Sequence, residues 1–85
     1  MGGVVDHQFD KPVLLRIGGG VQAISSVSEA AECLDHRWPV QGSRKRQNAR
    51  AICLLVLEGV LAATAARRAF EAAAEEVNIL LPDGS

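Results

Sequence analysis

Tyrosine is absent from this sequence, and Phe9, Trp38 and Phe70 are its only aromatic residues. A core made from it must rest on aliphatic side chains and alanine, with three rings as isolated large pieces. Cysteine is equally sparse. Cys33 and Cys53 lie far apart and form no C-x-x-C pair, so neither a zinc ribbon nor a disulfide scaffold is indicated, and reduced thiols in a cytoplasm are expected. A long apolar run is missing as well. The most hydrophobic stretch, residues 51–66, carries Glu58 inside it and is too short to span a bilayer, so a membrane is not an expected partner. The opening MGGVVDHQFDKP reaches Asp6 and Asp10 almost at once, which argues against a secretory leader. Gly2 lacks the Ser or Thr at position 6 that myristoylation requires.

What is present is the composition of an ordered globular protein, 48% apolar and 22% charged, in 85 residues. That length makes a single domain, residues 1–85, with an ordered core expected over about 9–81. The net charge of −1 conceals a division along the chain. Residues 36–50 hold Arg37, Arg44, Lys45, Arg46 and Arg50 with no acid, while the segments on either side are acidic. A nearly neutral protein thus contains one strongly basic segment.

Residues 13–17, VLLRI, follow Pro12 and alternate, with Val13, Leu15 and Ile17 on one face. GGG at 18–20 supplies the positive-φ freedom of a tight turn, and VQAI continues as a second short strand. A β-hairpin is therefore expected, with the first ten residues frayed and residues 79–81, ILL, available as a short third strand. Ser26 and Glu29 form a capping-box pattern for a first helix, with Ser28 as the rival cap. Val27, Ala30, Ala31, Leu34 and Trp38 make its apolar stripe, and Pro39 ends it. Ser43 can cap a second helix that is apolar nearly all round, the mark of a central helix contacted on several sides. Gly59 either allows close packing within it or marks its end. Thr64 can cap a third helix whose face is Ala66, Ala69, Phe70, Ala73 and Val77. Asn78 suits the left-handed residue that closes a helix, Ile79 can make the apolar contact that accompanies it, and PDGS reads as a turn or disorder. The fold class is α+β: an N-terminal β-hairpin packed on three α-helices, the second central.

In chain order, the segments KPV, SVSEAAECL, WP, an IC…VLEG run and ARRAFEAAAEEVNI resemble the small bacterial family catalogued as domain of unknown function 982 (DUF982). The resemblance covers roughly residues 9–81, and its strongest marks are Trp38-Pro39 and the ARRAF-to-NI segment. Where the family usually ends its last helix in glycine, this chain has Asn78. The resemblance implies a compact α+β domain with no assigned activity, and it supplies no catalytic residue.

The residues themselves carry little chemistry. IGGG lacks both the G-x-G-x-x-G spacing and a following G-K-[ST], so it reads as a turn and not as a phosphate loop. Cys33 and His36 can share a helix face, with Cys53 or His7 as further ligands, which leaves a metal or thiol enzyme only as a remote alternative. No catalytic residue, cofactor or metal is expected, and the chain is not expected to be an enzyme. Two readings lead. The first is a non-enzymatic protein-interaction or regulatory module whose partner is a protein, including a second copy in a homodimer, since leucines pointing several ways can be hidden by self-association. The second is an anion or nucleic-acid backbone binder. Arg44, Lys45 and Arg46 would occupy the first turn of the second helix, where the dipole disfavours cations, with Arg50, Arg37 and the stackable Trp38 nearby.

Overall fold

The computed structural model describes residues 7–82. The chain runs β1 (Gln8–Ile17), β2 (Gly20–Ser26), α1 (Val27–His36), α2 (Arg44–Leu57) and α3 (Ala63–Glu76). β1 and β2 form an antiparallel hairpin, so the α+β class and the three helices are as expected. Gly18 and Gly19 both take positive φ, 62° and 82°, in the two-residue turn whose twist suits a hairpin. The strand begins earlier than the alternation suggested. It includes Gln8, paired with Ser26, and the register then shifts before Val13 pairs with Ile24. Pro12, which has no N–H for a ladder, falls inside that irregularity. Of the segment expected to fray, residues 1–6 lie outside the described residues, as do residues 83–85 of the PDGS tail.

β2 passes directly into α1. The Ser26 Oγ accepts the Glu29 N–H at 3.2 Å, and Glu29 Oε1 reaches back to accept the Ser25 N–H at 2.7 Å, one residue before the N-cap, so a variant of the capping box fixes the junction. α1 buries Val27, Ala30, Cys33 and Leu34. Beyond it Trp38 is buried, 3% exposed, with its ring centroid 5.6 Å from that of Phe70. These two rings fill the middle of a core otherwise made of aliphatic side chains, alanine and cysteine.

The third helix starts at Ala63 and not after Thr64. Its N-cap is Ala62, which offers no side-chain bond, and the Ala65 N–H turns back to the Ala62 carbonyl at 3.0 Å instead. α3 buries Ala66, Phe70, Ala73 and Ala74. Arg67 reaches Glu71 at 3.2 Å, donates to the Lys11 carbonyl and lies over the Phe9 ring, tying α3 to β1.

α2 and α3 end alike. In α2 the Val60 N–H bonds the Leu55 carbonyl and the Gly59 N–H bonds that of Val56, with Gly59 at φ 86°. In α3 the Ile79 N–H bonds Ala74 and the Asn78 N–H bonds Glu75, with Asn78 at φ 60°. Both are Schellman closures, one made with glycine and one with asparagine. Gly59 therefore ends α2, and no atom lies within 4 Å of where its Cβ would be, so close packing is not its reason.

After Asn78 the chain runs back beside β1. The Arg16 N–H donates to the Ile79 carbonyl and the Leu81 N–H to the Leu14 carbonyl, each at 2.9 Å, around an antiparallel Leu15–Leu80 bridge. Among the described residues this remains an isolated bridge, and the sheet itself has two strands. Only three residues separate Asn78 from Pro82, whose missing N–H cannot extend a ladder.

α2 packs against both α1 and α3. It is not enclosed, however. It buries only Ala49, Cys53 and Val56, while Leu54, Leu55 and Leu57 stay 43%, 37% and 38% exposed. The helix that is apolar nearly all round in sequence is contacted chiefly by α1 and α3, and nothing among the described residues covers its remaining face.

Candidate functional site

The basic segment keeps its sequence neighbours together but gives most of its charges internal work. Ser43 is the N-cap of α2, and its Oγ accepts the Arg46 N–H at 3.1 Å. The same hydroxyl donates to Glu76 Oε1 at the end of α3. A carboxylate from another helix thus supplies the negative charge that the first turn of α2 lacks. Beside it lies a shallow hollow lined by Val40, Gly42, Ser43, Arg44, Glu76 and Val77. A free anion entering that hollow would meet a resident carboxylate.

Arg46 is half-buried and spans two backbone carbonyls. Its Nε donates to Leu34 O at 2.7 Å and its Nη1 to Gln41 O at 3.2 Å. Leu34 lies in the last turn of α1, where carbonyls lack helical partners, so Arg46 serves the C-terminus of α1 while sitting at the N-terminus of α2. Arg50 pairs with Asp35 of α1. Arg37 donates to Gln22 Oε1 at 2.8 Å and lies 3.7 Å from Glu32. Of the five cations singled out in the sequence, Arg44 and Lys45 alone are exposed without a partner among the described residues.

Trp38 does not join them. Its ring is inside the core against Phe70, and its Nε1 is buried without an acceptor among the described residues, so it is unavailable for stacking on a base. The Cys33–His36 pair also separates, since Cys33 is buried and His36 exposed. Burial raises the Cys33 thiol pKa against an opposing effect of Arg37, with Glu32 adding to the rise. Burial alone pushes Cys53 up to about 11. Both thiols therefore stay protonated at neutral pH, where a thiol is a poor nucleophile and a poor ligand. Among the described residues no group of three or more His, Cys, Asp or Glu side chains could hold a metal ion. No helix among them is long and apolar enough to cross a membrane.

The surface that the sequence showed only as leucines pointing several ways is the outer face of α2. Its N-terminal half presents Arg44, Gln47 and Asn48, and its C-terminal half presents Leu54, Leu55 and Leu57, followed by Val60 at 63% exposure. The signal was visible as leucines in every direction, but it was compatible with burial until the number of covering elements was known. Four large apolar side chains within seven positions stay in contact with solvent on a chain this small.

No curated protein matches the chain. Its fold is similar to that of an Agrobacterium tumefaciens protein solved by NMR, at 32% sequence identity and a TM-score of 0.78. That match covers 93% of this chain and 80% of the other. The family described as "Protein of unknown function (DUF982)" matches residues 11–81. The family match takes in most of the chain, and the protein belongs to the DUF982 family.

Proposed function

We propose that this protein is a non-enzymatic interaction module that docks on another protein through the outer face of α2. The observation that carries the reading is the exposure of Leu54, Leu55, Leu57 and Val60 on a helix whose inward face is made of Ala49, Cys53 and Val56. Removing apolar surface from water is worth roughly 25 cal/mol per Å². The area they still expose can make that gain only by association, because none of the described residues covers it. The outer edge of β1 is not a rival surface. Residues 79–81 cover it, acting as the short third strand expected there, a role supported by the two backbone bonds to Leu14 and Arg16. A cytoplasmic location fits two free, buried thiols.

The anion and nucleic-acid reading keeps a narrower base, Arg44 and Lys45, with Arg37, Arg46 and Arg50 committed to internal partners. Two backbone contacts give weak binding with a shallow salt dependence, a slope of about −1.8 in log K against log salt.

A photo-reactive residue at position 55 tests the interaction reading, with one at the exposed position 16 on the outer face of the sheet as control. Cross-linking to a protein in cells from position 55, and not from position 16, is expected. Absence of adducts at 55, or equal adducts at both positions, would overturn it.

A further inference from the structure

We infer that the occupant of this face is a second copy of the chain, docked antiparallel along α2 so that Arg44 of each copy meets the partner subunit's Glu58. The inference rests on the interaction reading above and specifies its partner. Arg44, Gln47 and Ala51 are spaced by three and four residues, and Leu54 and Leu55 each stand three or four residues from both Ala51 and Glu58, so the six share one side of the helix. That side points away from Ala49, Cys53 and Val56, which face the core, and all six residues are exposed. Its two ends carry opposite charges, Arg44 in the first turn and Glu58 at the C-cap. Fourteen residues of helix place them about 21 Å apart. Neither has a partner among the described residues.

Both charges stand at the wrong end of their own helix. A cation at a helix N-terminus and a carboxylate at its C-terminus each oppose the macrodipole. An antiparallel neighbour reverses both relations at once, since Arg44 then lies beside the C-terminus of the other α2 and Glu58 beside its N-terminus. A parallel neighbour would instead bring Arg44 against Arg44.

Two-fold symmetry sets the register. With Arg44 opposite the partner's Glu58, Ala51 falls on the axis, where its small side chain lets the helices approach closely. Leu55 then lies over the partner's Gln47, and Leu54 over the partner's Asn48, so the leucines of each copy cover the polar half of the other. Such an interface is isologous and closed, and it stops at a dimer. No partner of other composition is required to satisfy both ends of the stripe.

Sedimentation equilibrium on the full chain at low ionic strength, with Arg44→Glu and Glu58→Arg, tests this. The wild-type mass should rise with concentration from 9.0 kDa toward twice that value. Each single variant puts like charges together at both ends, and its dimer dissociation constant should rise about tenfold. An equimolar mixture of the two variants restores opposite charges at both ends and should recover wild-type affinity as a heterodimer. Both positions are exposed, and each substitution improves the dipole match of its own helix, so the variants should be no less stable to heat at concentrations where the chain is monomeric. A wild-type chain that stays at 9.0 kDa at millimolar concentration overturns the inference. So does a dimer in which the mixture is no tighter than the single variants. Adducts at position 55 to a different protein would in either case leave the interaction reading standing, and absence of adducts there would remove both.

Discussion

α2 and α3 have the same length, 14 residues, and the same closure, yet they distribute bulk in opposite ways. α3 turns its one large ring, Phe70, into the core and surrounds it with alanines, so its contribution to folding is concentrated on one face. α2 turns small side chains inward and carries its leucines on the outside. Folding alone favours the first arrangement, because a large apolar side chain gains most when it leaves water. The second makes sense when the outward face has something else to meet. The pair teaches that a helix's apolar content and its contribution to the core are separate quantities, and that their mismatch points to an interface.

Substitutions can break this contrast in order of expected size. Phe70→Ala removes the largest fully buried side chain and the contact with Trp38, and should cost about 3–5 kcal/mol in chemical denaturation. In a domain of this size that is a large share of the total stability. Next comes alkaline sensitivity. Cys53 titrates near 9.0 when unfolded and about 11 when folded, so the unfolded chain loses its proton first. Stability is then full below pH 9 and falls as pH rises toward 11, by about 2–3 kcal/mol, with Cys33 acting in the same direction. Denaturation at pH 8 and pH 10.5 should show the drop, and Cys53→Ala should make it smaller.

Ser43→Ala removes both the cap of α2 and the hydroxyl that holds Glu76, and should cost about 1–2 kcal/mol. The smallest effect belongs to the outer face. Leu54→Gln with Leu55→Gln should change monomer stability by no more than about 0.5 kcal/mol for each residue, the range of ordinary surface substitutions. If instead it costs as much as Phe70→Ala, the leucines belong to the core and the contrast between the helices disappears.

The parts of the fold set by local chemistry could be read from the sequence. Alternation at Val13, Leu15 and Ile17, the GGG turn, the Ser26 and Ser43 caps and the Asn78 closure each depend on neighbours within a few residues, and each is present. The start of α3 was misjudged because Ala62 caps without a side chain, which leaves no residue type to recognise. The candidate site was less legible for a related reason. Arg46 looked unexplained because its acceptors, Leu34 O and Gln41 O, are backbone atoms supplied by tertiary packing. Glu76 meets Ser43 only because tertiary packing brings the end of α3 to the start of α2. Trp38 continues the apolar stripe of α1 into the core, as its spacing indicates, and that placement removes it from the basic patch. The outer leucines had a visible signal, but its meaning depended on how many elements surround α2.

The central claim is that the exposed leucines of α2 serve self-association and not folding. Solution mass as a function of concentration, measured on the wild-type chain and on the Leu54→Gln, Leu55→Gln chain, tests it most directly. The account predicts that the wild type climbs from 9.0 kDa toward twice that mass while the doubly substituted chain, equally folded, stays at 9.0 kDa. Identical masses at every concentration, or loss of folding in the substituted chain, would contradict it.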